Sequence, residues 1–214
     1  MIAAEARWVG AALAKLPDDQ LFPLLNVGSQ DEAFRAKRQP WIDTRVFAPL
    51  RRRGGKIVHL DLAPGAGVDI TGDLLDPNVR AQLRGFRSVL CANVLEHVPD
   101  RERFAAALVD VTAPGGYLIV TVPKRFPYHP DPIDTMFRPD IAELAALFPS
   151  MEVVDAKVVR STMLMFFVQR LLTIRSAPAS TTSPSMRNEF LRWLLRRIEA
   201  TAIVFRKPYG VRQR

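Results

Sequence analysis

The chain has 214 residues, 48% hydrophobic and 24% charged, the balance of a globular protein with enough length for one sizeable core. Its one cysteine, Cys91, excludes a disulfide framework and fits a reducing, cytoplasmic setting. The net charge of +8 is unevenly placed: residues 157–214 hold twelve Lys/Arg against only Glu189 and Glu199, so any partner drawn by positive charge meets the C-terminal quarter.

Residues 2–16 place Ala6, Val9, Leu13 and Leu16 at helical spacing. Glu5 and Arg7 within that helix argue against a secretion signal. Pro17-Asp18-Asp19 stops it, and the apolar run 22–27 reads as the first strand, leaving through Asn26-Val27-Gly28-Ser29. The next ten residues are polar and basic, a loop or loose helical turn. Residues 41–53 read as a helix despite Pro49, with Ile42, Val46 and Leu50 on one face. Strands follow at 56–61, ending on Asp61, and at 68–70, running into Thr71-Gly72-Asp73. Residues 77–83 form a helix with Asp76 as N-cap and Pro77 in the first turn.

A strand at 89–92 then ends in the polar group Asn93, Glu96 and His97. Pro99-Asp100 opens a helix with Phe104, Leu108 and Val111 on one face, and Ala113-Pro114-Gly115-Gly116 turns the chain into a strand at 117–122. After a proline-rich loop come a helix at 139–148, a strand at 151–159, an apolar helix with a basic end at 162–175 and a Ser/Thr/Pro/Ala linker at 176–185, expected to be mobile. A basic helix at 187–197 and a last strand at 200–206 complete the pattern. The whole reads as one domain, 1–214, with 162–197 as a basic, apolar helical insertion. The apolar run 163–174 is too short to span a bilayer.

Alternation of strand and helix argues an α/β fold with a mostly parallel sheet. In such sheets ligands bind beyond the strand carboxyl ends. Gly28, Asp61, Asp73 and Asn93 each stand at one of those ends, and their convergence points to a cofactor pocket. A nucleotide phosphate loop is disfavoured, because one glycine stands where a dinucleotide fingerprint has three.

The stretches CANVLEHVPD and APGGYLIVTVP resemble the fourth and fifth strands of class I S-adenosylmethionine-dependent methyltransferases, in particular the methyltransferase type 11-like group with an LEHV motif. HLDLAPGAGVDITGDLLD resembles their second and third strands, and FPYHPDPIDTMFRPDIAELAALFP the loop and helix after the fifth. The resemblance implies a Rossmann-like, doubly wound, seven-stranded sheet with an antiparallel final strand, and S-adenosylmethionine as cofactor. It implies that Asn26, Gly28 and Ser29 face the methionine part, that Asp61 holds the ribose, that Asp73 and Leu74 face the adenine, and that Asn93 lines the pocket near the sulfonium. The chain departs from the family's E/D-x-G-x-G at NVGSQ: Asn26 replaces the acid and Gln30 the second glycine.

Methyl transfer asks the protein to align an acceptor, exclude water and manage a proton. His129, His97 and Tyr128 are the candidates for the proton. The H-x-D-x-x-D run of His129, Asp131 and Asp134 is stiffened by prolines and has no second ligand set, so no metal is expected. The expected acceptor is a small molecule, a glycan or a lipid-linked group. The basic segment 162–214 reads either as helices capping the sheet or as a peripheral membrane contact; no nucleic-acid module is evident. The rival to an enzyme is a methyltransferase-like domain without catalysis that binds a membrane surface or a partner.

Overall fold

The computed structural model describes residues 1–129, 133–171 and 195–209. Seven strands build one sheet: β1 (Leu24–Val27), β2 (Ile57–Asp61), β3 (Ile70–Thr71), β4 (Phe86–Ala92), β5 (Thr112–Arg125), β6 (Glu152–Thr162) and β7 (Arg197–Arg206). Their order is β3-β2-β1-β4-β5-β7-β6. The first five strands run parallel, while β7 lies antiparallel to both β5 and β6. This is the doubly wound, mostly parallel sheet with a reversed final strand that the sequence predicts. The order turns back between β1 and β4, the switch point where a crevice opens past the strand ends.

Strand alternation feeds two cores, since successive side chains point to opposite faces. Leu25, Val27, Val89, Cys91, Val120 and Phe205 face α6 (Arg101–Val111) and α7 (Ile141–Ala146), where Phe104, Leu108 and Leu144 are buried. Leu24, Leu90, Ile119 and Val204 face α1 (Ala3–Ala14), which contributes Ala6, Val9 and Leu13. Asn26 shares the α1 face with Leu24, two residues before it. Gly10 lets α1 cross the chain closely: a Cβ there would stand 2.1 Å from the Arg45 carbonyl oxygen. Helix ends carry the predicted caps, Asp76 on Asn78 N and Asp100 on Arg103 N.

Several boundaries move, each for a physical reason. The helix expected at 41–53 is three consecutive pieces, α3 (Pro40–Ile42), a wide π-type turn (Asp43–Phe47) and α4 (Ala48–Arg52). Pro49 has no N–H for the usual ladder, and the Ala48 N–H reaches back five residues to Asp43. The polar stretch after β1 contains a second wide turn, Phe34–Arg38. β3 begins later than expected because the Asp69 carboxylate takes the His59 N–H at 2.7 Å, leaving Leu60 and Asp61 to pair with Ile70 and Thr71. β5 begins at Thr112, which pairs with Phe86 across an irregularity that holds the Gly-Gly turn.

α8 (Met163–Leu171) occupies the start of the predicted insertion, but Thr162 and Arg197 belong to paired strands and not to helices. The linker at 176–185 and most of the helix at 187–197 lie outside the described residues. Among the described residues, no helix is long and apolar enough to cross a membrane. Two further short helices among the described residues are α2 (Asp18–Leu21) and α5 (Pro77–Ala81).

Candidate functional site

The loop leaving β1 is held in a conformation that ordinary side chains resist. Gly28 has φ +67°, and a Cβ there would lie 2.4 Å from a methyl of Val94. Gln30 has φ +55°, in the left-handed region that favours glycine. Its N–H donates to the Asp61 carboxylate at 2.6 Å, and the other Asp61 oxygen accepts from Ala63 N at 3.1 Å. Arg35, buried on the wide turn, donates to the carbonyls of Ser29 at 3.1 Å, Gly67 at 2.7 Å and Gln30. One guanidinium therefore stitches the loop after β1 to the loop after β2. Burial lowers its pKa.

Asn26 does not project a free amide. Its Nδ2 donates to Nδ1 of His59, the residue opposite it in the β1–β2 ladder, at 3.1 Å. That pairing leaves His59 protonated on Nε2 and neutral. Burial, with nearby Arg35, pulls the His59 pKa down to about 4.

Across the switch point, the charged groups lie deeper. Glu5 of α1 is buried, and its carboxylate accepts from Asn93 Nδ2 at 2.8 Å, Thr121 Oγ1 at 2.5 Å and Ile2 N at 3.1 Å. Asn93, at φ +55°, turns the end of β4 into a short helical turn, Leu95–His97. That turn carries Glu96, which has no exposed surface and whose two carboxyl oxygens find no hydrogen-bond partner. Burial pushes its pKa up to about 8, and Glu5 adds to the rise.

His97 and His129 meet above Glu96, with ring centroids 5.3 Å apart. The loop that carries His129 is pinned to the turn: Thr135 N and Oγ1 both donate to the Glu96 carbonyl, at 2.8 and 2.9 Å. His129 Nδ1 lies 3.1 Å from both the Pro127 carbonyl and the Asp134 carboxylate. Burial would raise the Asp134 carboxyl, but Arg138 and the backbone N–H groups of Met136 and His129 outweigh it and hold it near about 2. Burial lowers the pKa of His129.

These groups border a cavity of about 570 Å³ at the carboxyl ends of β1 and β4, a volume suited to a small organic ligand. Of the residues expected from sequence, Asn26, Gly28, Ser29, Asn93, His97 and His129 line it. Asp61 and Asp73 do not. Asp61 supports the loop that does, and Asp73 accepts from Leu75 N at 2.9 Å beyond β3. Leu74 is fully buried in the sheet core, so it offers no face to a ring in the crevice. Tyr128 is 61% exposed and stands outside the lining, because the loop turns its neighbours Pro127 and His129 inward instead.

Glu5, Arg35 and His59 were not singled out by sequence reasoning. A carboxylate on the apolar stripe of α1, between Ile2 and Val9, was the one available signal for Glu5. Arg35 and His59 left none, because their roles depend on strand register and loop packing.

Residues 43–120 match the family model described as a methyltransferase domain. No curated protein matches the chain. Among solved structures, a protein of Galdieria sulphuraria assigned as a sarcosine dimethylglycine methyltransferase is 14% identical, with TM-score 0.58 over 95% of this chain and 85% of that one. A chain of the complex between the Haloferax volcanii Trm112 methyltransferase activator and a protein assigned as a methyltransferase is 16% identical, with TM-score 0.54 over 97% and 95%. The [4+2]-cyclase SpnF is 17% identical, with TM-score 0.53 over 95% and 82%. At these identities the likeness concerns the fold, and the cyclase illustrates that one fold can serve different chemistries.

Proposed function

We propose that the chain, whose residues 43–120 match a methyltransferase-domain model and whose sheet is Rossmann-like, is an active S-adenosylmethionine-dependent methyltransferase whose acceptor is a small molecule, a glycan or a lipid-linked group. The observation that carries this reading is the loop Gly28–Gln30. Its second glycine is missing, yet Gln30 adopts the glycine-like φ of +55° and keeps its N–H on Asp61. Holding a strained conformation that a plain surface loop would relax supports a ligand-binding role.

The residues fit the cofactor in this arrangement. The backbone of Gly28, Ser29 and Gln30 approaches the methionine part, and the absence of a Cβ at Gly28 lets Val94 pack against this loop. The Asp61 carboxylate retains acceptor capacity for ribose hydroxyls beside its two backbone donors. Leu62, 70% exposed beside it, offers an apolar face to the adenine, with Asp73 at the far edge. The missing acid at position 26 leaves the methionine amino group to carbonyls of the loop, a weaker hold. When bound, S-adenosylmethionine supplies an activated methyl group on a sulfonium. The protein's part is to orient the acceptor in the cavity, exclude water and present to it the free Nε2 atoms of His97 and His129, whose Nδ1 atoms are occupied by carbonyls.

Calorimetry of the full chain with S-adenosylhomocysteine tests this. One site per chain in the wild type and a strong loss in Asp61→Ala is the expected result. No heat at millimolar ligand removes the reading.

A second reading, a module that docks on a membrane, draws on Leu164, Met165 and Val168 of α8, which are 39%, 47% and 39% exposed in the basic quarter of the chain. Co-sedimentation with anionic vesicles, lost in Leu164→Glu/Val168→Glu, would favour it. Equal behaviour of both proteins would leave it without support.

A further inference from the structure

Glu96 presents an anomaly that methyl transfer does not need. A carboxyl group with no exposed surface ordinarily has partners for its oxygens, and Glu96 has none for either. His97 Nε2 is the nearest basic atom, 3.7 Å from Oε1, which is too far for a hydrogen bond.

The two histidines resolve the anomaly. His97 Nδ1 contacts the Ile133 carbonyl, and His129 Nδ1 contacts the Pro127 carbonyl. Carbonyl oxygens only accept, so in both rings the hydrogen sits on Nδ1 and the Nε2 lone pair is free. A carbonyl or carboxylate on the distal nitrogen is the arrangement that orients a metal-binding histidine, and Asp134 at 3.1 Å supplies the carboxylate to His129. The ligand atoms of Glu96, His97 and His129 all lie within 4.8 Å of one another. Ligand atoms at ordinary bond lengths around one tetrahedral ion stand about 3.4 Å apart, so the set closes with side-chain shifts of about 1 Å.

We propose that Glu96, His97 and His129 form a binding site for one divalent transition-metal ion, with its remaining coordination positions open to the cavity. Two imidazoles and one carboxylate suit zinc, manganese, iron or cobalt better than calcium or magnesium. The neighbouring polar groups do not compete for the ion: Glu5 already accepts three hydrogen bonds, Asn93 donates to Glu5, and Asp134 is held by Arg138 at 2.6 Å. Three protein ligands with open positions on a pocket is the pattern of a site that takes a ligand of its own. On the methyltransferase reading, that ligand is an oxygen atom of the acceptor, a hydroxyl or a carboxylate, which narrows the acceptor to oxygen-bearing molecules.

This set differs from the H-x-D-x-x-D run considered from sequence. It uses His129 but replaces the run's aspartates with residues of the β4 exit.

The test is titration of the chelator-stripped full chain with cobalt(II), read by visible d–d absorption and by metal analysis. One cobalt per chain is expected in the wild type. Glu96→Gln, which keeps the side chain's shape, and His129→Ala should each weaken binding roughly a hundredfold. Binding of S-adenosylhomocysteine to the same samples shows that the variants are folded and separates the two readings: cobalt without nucleoside keeps the metal site and removes the methyltransferase reading, and the reverse removes the metal site. No d–d absorption at millimolar cobalt, or equal affinity in all three proteins, overturns the proposal.

Discussion

The two sides of the switch point use opposite means to hold polar groups. On the β1–β2 side nearly every polar atom has a partner. Asp61 holds two backbone N–H groups, Arg35 holds three carbonyls and Asn26 holds His59. On the β4–β5 side, Glu5 is equally satisfied, but Glu96 beside it is left bare. The first side is a fitted cradle, rigid and already complete. The second keeps unspent bonding capacity facing a cavity. On the proposed function, the cofactor would rest on the former and the acceptor would meet the latter.

The largest effect should come from Glu5. Glu5→Ala strands three donors, two of them buried, and should lower stability by about 3–4 kcal/mol, read from the urea midpoint of the wild type and the variant. A loss under about 1 kcal/mol would mean the β4–β5 side is less closed to water than described. On the other side, Asp61→Ala should weaken S-adenosylhomocysteine by about 2–3 kcal/mol, seen by calorimetry. An equal loss of stability without ligand would make Asp61 a loop support and no more.

Acid should loosen the cradle in the same range. His59 is held near about 4 when folded and near 6.5 when unfolded. Between those values the unfolded chain binds the extra proton, so stability falls as pH drops from about 6.5 to 4, by up to about 3 kcal/mol. Denaturation at several pH values should show this slope, and His59→Gln should flatten it. The smallest effect is a gain. Gln30→Gly relieves a side chain held at φ +55° and should stabilise the protein by about 0.5–1 kcal/mol, or leave it level if the added freedom of the unfolded chain offsets the relief.

The strand ends were legible because their signals are local. Gly28, Asp61, Asp73 and Asn93 each follow a strand, and strand ends are where an α/β sheet binds. The stripes of α1 and α6 likewise marked the two cores. On the deeper side Asn93, Glu96 and His97 stand out as a group, but their partners were not legible, because the pairings are made by register. Glu5 meets Asn93 and Thr121 across separations of 88 and 116 residues. His97 meets His129 only because the loop after β5 folds back and bonds the Glu96 carbonyl through Thr135. The replacement of the acid at position 26 was visible, but its reason was not: the partner of Asn26 is His59, set opposite it by the ladder. Leu74, which the resemblance sets with Asp73 at the adenine, has its side chain in the sheet core.

The pairing of Thr162 with Arg197 carries a consequence for how such a protein could diversify. The chain leaves the sheet at the end of β6 and returns beside its point of departure, so whatever length lies between adds little closure entropy and no strain to the ladder. The first turn after departure places Met163 and Phe166 on the cavity. The described start of the segment, Met163–Leu171, thus has one end on the pocket wall. On the proposed function, substitutions at Met163 and Phe166 would reshape the cavity wall while leaving the strands, the loop at Gly28 and the buried carboxylates where they are.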